Sequence, residues 1–207
     1  YGYIPEAPEQ SFGNNKGIFN PKDIYDLTRA DKYTNYGQLE LIETQTVSSV
    51  SQVDFTNLGT YNVHFVTYSF DGVSADLGLF SRFSNDGGSS FIASSYHHAQ
   101  QRGDGQGGFT EIRSTSMWAM QISDGANISS SGHAFNGYIY YYNLLDSSKY
   151  SFNTNHSSYT DKNAETVAFN FGSGTYPTAE THNAVRLLPN TSTITGQASI
   201  YGIKEYS

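Results

Sequence analysis

Hydrophobic and polar residues alternate along most of this chain. In its most aromatic segment, Tyr138, Tyr140 and Tyr142 fall on one side of the backbone, while Ile139 and Tyr141 fall on the other. A repeat of two residues is the spacing of a β-strand, whereas a helix repeats every 3.6 residues. The pattern therefore predicts strands rather than helices over most of the chain.

Many short strands are predicted, separated by turn signals such as Asp71-Gly72 and Asp124-Gly125. The predicted strands are 38–47, 49–55, 61–70, 75–83, 90–96, 111–122, 137–144, 166–171, 184–189 and 198–206. No helical pattern separates them, so a parallel α/β sheet is disfavoured. The fold class expected is all-β, a jelly-roll-like antiparallel β-sandwich spanning residues 38–207.

Two of these strands allow a prediction of which side chains face the core. In the strand 61–70, a bulge near Val66 is expected to shift the alternation. His64, which has an apolar neighbour on each side, is expected to face the solvent side of the sheet. The inward residues of that strand are then Val63, Phe65, Tyr68 and Phe70. For the strand 111–122, one shared face is predicted for Ile112, Trp118, Met120 and Ile122.

Residues 1–37 differ from the rest and are predicted to form an extended N-terminal arm with one short helix. Asn20 is a favourable N-cap, Pro21 suits the first helical position, and Asp23 suits the positive end of the helix dipole, so a helix is expected over 21–30. So short a helix is marginal alone and needs a surface to pack on. The residues expected to dock on a partner are Ile4, Pro5, Pro8, Ile18, Phe19, Ile24 and Leu27.

Composition excludes several classes of function. Charged residues make up 14% of the chain, the net charge is −8, and cysteine is absent. An acidic surface disfavours nucleic acid as a partner, and no apolar run is long enough to insert in a membrane. Without cysteine there is neither a disulfide framework nor a thiolate metal site, and no cofactor is predicted.

The tyrosines at 138, 140 and 142 are the strongest indication of recognition. Because Ile139 and Tyr141 occupy the other side of the same strand, one of the two sets must face away from the core. Exposed tyrosines on a sheet can contact another subunit or stack on sugar rings. For a chain of such low charge, we favour a subunit contact over a sugar.

The tripeptide Arg102-Gly103-Asp104 lies in a glycine-rich stretch, Gln101–Gly108. It matches an integrin-binding tripeptide, but an ordinary loop between strands accounts for it better. Arg102 and Asp104 are therefore predicted to lie at a loop tip at one end of the sandwich, where binding residues often occur.

Neither a metal site nor an active site is predicted. His97 and His98 are adjacent and would point to opposite faces of a strand, which disfavours their binding one ion. The aspartates beside glycines, such as Asp86 and Asp104, fit turns better than calcium ligands. No nucleophile elbow, phosphate-binding loop or zinc-protease motif is present, so the chain is expected not to be an enzyme.

Two segments resemble the structural proteins of tailed bacteriophages. The segment Ile194–Lys204, which reads ITGQASIYGIK, resembles the closing "itG…isLYGIK" strand of such proteins. The segments Asn15–Asn20 and Asp23–Leu27 resemble the "GvFs…dvydL" lead into such domains. One departure is Ala198-Ser199-Ile200, where a Thr-Ile-Ser-Leu-like run is common, and it preserves the strand pattern.

The resemblance implies a virion surface protein, with a jelly-roll-like sandwich and a homotrimeric assembly, in a tail fibre, head fibre or capsid decoration. Its partners would be other virion proteins, reached through the arm, and it brings no catalytic motif. Two alternatives remain open: a carbohydrate-binding, lectin-like module that recognises a host surface glycan, and a polysaccharide depolymerase.

Overall fold

The computed structural model describes residues 10–11, 14–15, 21–29, 39–73, 75–130, 132–163 and 166–204. The chain divides into two compact units, residues 1–38 and residues 39–207. In the part of the chain that is described, no helix is both long and apolar enough to span a bilayer.

In the described residues of the first unit there are two very short strands and a helix. Strands β1 (Gln10–Ser11) and β2 (Asn14–Asn15) pair antiparallel, and helix α1 spans Pro21–Arg29. The predicted helix is thus confirmed to within one residue. Proline is tolerated at its first position because the N–H that it lacks would have no partner within the helix.

The second unit consists of two antiparallel sheets. The large sheet has eight strands, in the spatial order β3 (Leu39–Val50), β14 (Ile194–Ile203), β5 (Val63–Gly72), β10 (Phe135–Tyr142), β11 (Ser151–Thr160), β12 (Val167–Tyr176), β7 (Tyr96–Asp104) and β8 (Phe109–Met117). The small sheet has four, in the order β4 (Val53–Phe55), β13 (Ala184–Pro189), β6 (Leu79–Ser84) and β9 (Met120–Gln121).

The two sheets form a sandwich around one hydrophobic core. The large sheet contributes Val66, Phe70 and Ile139, and the small sheet contributes Phe83 and Leu187, all of them buried. Since both inner faces supply apolar side chains to one cluster, burial of apolar surface holds the sheets together. The prediction of an antiparallel β-sandwich with one short helix is confirmed.

Strands β3 and β14 close one edge of the large sheet. Leu39 lies opposite Ile203, and Lys204 forms a 3.0 Å ion pair with Glu40. A register shift interrupts the pairing near Gly196, whose φ of +137° falls in a region that favours glycine. The first and last strands of this unit are therefore neighbours.

The alternation in β5 differs from its prediction. Its pairing with β10 and β14 shows no register shift, so there is no bulge near Val66. His64 is buried, its Nε2–H donating to the Leu58 carbonyl at 2.7 Å, whereas Phe65 lies on the outer face. The prediction failed because a hydrogen bond to a carbonyl makes a buried imidazole acceptable in the core.

The strand predicted over 111–122 is divided between the two sheets. Residues up to Met117 belong to β8 in the large sheet, and Met120 begins β9 in the small sheet. Trp118 lies at the crossing, where its carbonyl accepts a 3.1 Å hydrogen bond from Arg82 Nε and its ring stacks beneath that guanidinium. The single shared face predicted for this segment is therefore wrong.

Two further predictions of strand location were wrong. Residues 90–95, expected to be a strand, contain bends and irregular backbone, and the strand β7 begins at Tyr96. Strand β11, in the middle of the large sheet, was not predicted. Four of its five buried positions, Ser151, Asn153, Asn155 and Ser157, carry no apolar signal, and the fifth is Tyr159.

Candidate functional site

The outer face of the large sheet is free of charge over most of its width. Strands β10, β11, β12 and β14 contain no Asp, Glu, Lys or Arg, and β5, which lies among them, contains only Asp71 near its end. This chain carries a net charge of −8, so its charged groups are concentrated elsewhere. Such a face can be covered without desolvating an ion.

Strand β10 places its three tyrosines on this outer face, as the alternation requires. Ile139 and Tyr141 are fully buried on the inner side, whereas Tyr138 is 40% exposed. The Tyr140 and Tyr142 rings are stacked, with centroids 6.4 Å apart and planes inclined by 20°. The prediction that one set faces away from the core is confirmed.

Neighbouring strands extend this row of rings across the sheet. Phe65 on β5 lies 4.7 Å from Tyr140 and 5.9 Å from Tyr138, between ring centroids. On the other side, His156 of β11 meets Tyr138 edge-on at 5.8 Å. These contacts restrict the side-chain rotation of the tyrosines, so that less entropy is lost when a ligand covers them.

The rings form one side of a shallow groove of about 630 Å³, here named the outer groove. Its lining residues are Tyr138, Tyr140, Tyr142, Thr154, Asn155, His156, Phe171, Gly172 and Ser173. The volume lies within the range of about 300–1,000 Å³ typical of small-molecule sites. A smaller depression of about 270 Å³ also contains Ser173. It is lined by Phe152 of β11 and by residues of β7, β8 and β12.

Polar groups accompany the rings in the outer groove. The Tyr142 and Thr154 hydroxyls are 3.1 Å apart, and Ser173 supplies a further hydroxyl. A hydroxyl donates one hydrogen bond and accepts up to two, so this pair retains capacity for a ligand. The outer groove thus offers ring faces and neutral hydrogen-bonding groups side by side.

Buried side chains on the inner face of β10 hold the backbone behind the outer groove in place. Tyr141 donates or accepts a 2.7 Å hydrogen bond with Ser81 of the small sheet, and both residues are fully buried. Burial raises the pKa of the Tyr141 hydroxyl far above its usual range, so it stays neutral. On β11, the buried amides of Asn153 and Asn155 have no hydrogen-bond partner in the described part of the protein.

Arg102 and Asp104 do not lie at a loop tip as predicted. Arg102 is inside strand β7, and its largely buried side chain pairs with Asp161, so it is not presented to solvent. Asp104 ends the strand, and its carboxylate accepts hydrogen bonds from the N–H groups of Gln106 and Gly108, both at 2.9 Å. The tip of this hairpin is the turn that follows Asp104, and the arginine was drawn inward by a buried carboxylate.

The residues predicted to dock on a partner fall mostly outside the described part. Ile4, Pro5, Pro8, Ile18 and Phe19 lie outside the described residues, as does the side chain of Leu27. Ile24, on helix α1, is partly buried. A docking role for this segment therefore stays a prediction.

His97 and His98 lie on opposite faces of β7, as predicted. His98 is buried, and burial lowers its pKa, which keeps the ring neutral. Among the described residues, no three His, Asp or Glu side chains lie close enough to hold a metal ion. Asp86 accepts hydrogen bonds from the N–H and hydroxyl of Ser90 and from Ser84, which lower its pKa to about 2 and fit a turn.

Sequence reasoning found one side of the outer groove and missed the other. Thr154 and His156 lie on β11, which was not predicted as a strand. A signal was present: an aromatic strand such as β10 needs a partner on each side, and the segment after it places Phe152, Thr154 and His156 at alternate positions. Comparison with protein-family models and with curated protein sequences found no match to this chain.

Proposed function

We propose that this chain is a non-catalytic structural protein of the virion surface of a tailed bacteriophage. It would be a fibre or decoration module that docks on other virion proteins through residues 1–37 and presents the β-sandwich to the host. The proposal is supported by the phage-like segments at 15–27 and 194–204 and by the division of the chain into a small and a large unit.

The observation that carries the proposal is the uncharged, aromatic outer face of the large sheet. A protein that acts alone in water rarely leaves several rings exposed together, as at Tyr138, Phe152 and Phe171, which are 40%, 41% and 50% exposed. Tyrosine is also enriched where proteins contact partners, since it combines apolar area with a hydroxyl. A face of this kind is built for contact.

The outer groove gives no support to a depolymerase. Hydrolysis of a glycosidic bond generally requires two carboxyl groups about 5–9.5 Å apart across the scissile bond. None of the residues that line the outer groove is Asp or Glu. Outside the groove, the Asp54 carboxylate is held by Arg186 in a bidentate ion pair of 2.6 and 2.7 Å.

Two finer features belong to the same proposal. A jelly-roll-like arrangement is supported by neighbours that are distant in sequence, such as β3 with β14 and β12 with β7. A homotrimer is what the phage-like segments imply, and its mass in solution is measurable by light scattering. A monomeric mass for the full chain at micromolar concentration would contradict the trimer.

The test of the proposal is to locate the chain on particles. A tagged full-length chain should purify with virions and be visible at their surface by immunogold microscopy. A variant lacking residues 1–30 should keep its β-type circular dichroism and lose incorporation, because the sandwich is a separate unit. Absence of the full-length chain from particles would overturn the proposal, and normal incorporation of the truncated chain would overturn the role of the arm.

A second candidate function is a lectin-like module that is not part of a particle. The concave shape of the outer groove and its mixture of rings and hydroxyls favour it. The two candidates differ in location, so the same microscopy separates them: glycan binding by a chain that never enters particles would identify the lectin.

A further inference from the structure

The outer groove combines three features that together define a class of ligand. The first is a row of rings at alternate positions of one strand, whose neighbouring centroids are 5.9 Å (Tyr138 to Tyr140) and 6.4 Å (Tyr140 to Tyr142) apart. Alternate residues of a strand repeat about every 6.6 Å, so the row follows β10 as a track. Within it the Tyr138 ring is edge-on to Tyr140 (78°), and the Tyr140 and Tyr142 planes are nearly parallel (20°). A track of this kind suits a chain-like ligand better than a compact one.

The second feature is the type of polar group beside the track. Thr154 and Ser173 supply hydroxyls, His156 supplies ring nitrogens, and the tyrosines supply phenolic hydroxyls. The hydroxyls carry no charge, and each can both donate and accept a hydrogen bond. They match a ligand that is itself rich in hydroxyl groups and presents C–H faces to the rings.

The third feature is the absence of formal charge. The residues lining the outer groove include no Lys, Arg, Asp or Glu, and the chain as a whole has a net charge of −8. A phosphate or carboxylate ligand would find no lysine or arginine here and would be repelled by the overall field. The groove therefore discriminates against acidic ligands.

Shape separates a glycan from a second copy of the chain. A subunit contact of ordinary size covers about 800 Å² on each partner with closely matching surfaces. The outer groove is instead a local depression beside the projecting Tyr138 ring, and its volume fits a ligand of a few rings. A flat face of a second copy would leave the depression unfilled.

We propose that the outer groove binds a neutral glycan, with sugar rings stacked on Tyr138, Tyr140 and Tyr142. This inference rests on the proposed function, since it names the host component that the virion surface domain would contact. The hydroxyls of Thr154 and Ser173 and the ring of His156 would bind sugar hydroxyls along the opposite side of the groove. The interaction is non-covalent and leaves the glycan intact.

The test uses the full-length chain on a glycan array that carries neutral hexose, deoxyhexose and N-acetylhexosamine chains beside sialylated and uronic-acid chains. Binding to at least one neutral chain is expected, with little change between about 50 and about 500 mM salt, because no ion pair is involved. Failure to bind any neutral chain, or equal binding of acidic chains, would overturn the proposal.

Matched tyrosine variants locate the site. Tyr138→Ala and Tyr140→Ala should each weaken binding of the best neutral chain by about tenfold or more in calorimetric titration, since each removes a ring of the row. Tyr150→Ala is the control, because Tyr150 is 46% exposed and does not line the outer groove. Unchanged affinity in both groove variants would overturn the assignment.

The mass of the protein in solution tests whether the groove is instead covered by a second copy of the chain. If Tyr138→Ala converts an oligomer into monomers and the wild type binds no glycan, the outer groove is a contact between copies and the proposal fails. Failure of the proposed function is separate, because it is decided by the presence of the chain on particles. The thermal midpoint of each variant confirms that it is folded.

Discussion

Replacing Tyr141 by Phe tests whether the strand behind the outer groove is held by a specific buried hydrogen bond. Tyr141 and Ser81 are both fully buried, and their hydroxyl oxygens are 2.7 Å apart. Removing the phenolic hydroxyl leaves Ser81 Oγ without this partner in a site that bulk water does not reach. An orphaned buried group of this kind costs about 1–3 kcal/mol.

Because the pair is fully buried, we expect a loss of about 2 kcal/mol in the free energy of unfolding for Tyr141→Phe. For a chain of this size, about 2 kcal/mol corresponds to a fall of roughly 4–8 °C in the thermal midpoint. Ser81→Ala should cost a similar amount, since it orphans the tyrosine instead. The double variant should be little worse than either single one, because no polar group is then left unpaired.

The assay is a double-mutant cycle measured by urea unfolding, followed by circular dichroism and fluorescence. We expect a coupling of about 1–2 kcal/mol between positions 81 and 141. Tyr138→Phe is the control, because Tyr138 is exposed on the outer face and its loss of a hydroxyl should cost less than about 0.5 kcal/mol. Additive single changes, with coupling below about 0.3 kcal/mol, would refute the reasoning.

Two further predictions concern buried ionisable groups. Stability should fall as the pH drops from about 7 to about 5, because burial lowers the pKa of His64, His98 and His182 below the usual value of about 6.5, so that only the unfolded chain takes up protons there. The thermal midpoint against pH measures this. Arg102→Ala should destabilise the fold by about 3 kcal/mol, because it leaves the buried Asp161 carboxylate without its cation.

Different outcomes would contradict the two predictions. A thermal midpoint that is flat from pH 7 to 5 would contradict the linkage argument. Arg113→Ala should cost less than about 0.5 kcal/mol, because its ion pair with Glu111 is exposed. Equal effects at Arg102 and Arg113 would show that burial of the pair is unimportant.

The strand prediction succeeded where apolar residues occupy the buried positions of an alternating segment. Strand β10 was placed correctly because its buried positions hold apolar or aromatic residues such as Ile139 and Tyr141. Helix α1 was predicted from Asn20 and Pro21, whose roles are local. In both cases the pattern depends on neighbours within a few residues.

Other parts depend on partners far along the chain. Strand β11 buries Asn153 and Asn155, so the usual link between burial and hydrophobicity fails there. Arg102 was expected at a loop tip because nothing nearby in sequence indicates Asp161, a residue from a different segment. The outer groove was half predicted for the same reason: its tyrosines are local, whereas Thr154 and His156 come from the strand that was missed.

The pairing of β3 with β14 has a consequence for the order in which the sandwich folds. Thr44 and Ser199, whose hydroxyl oxygens are 2.8 Å apart, are separated by 155 positions in sequence. The two strands can therefore pair only after a loop of this length has closed. A circular permutant that joins residue 204 to residue 39 and opens the exposed turn at Gly87 would convert the pair into a hairpin and should fold faster. Since the two ends of the unit lie side by side, it is also suited to transplantation as a cassette into a surface loop of another protein.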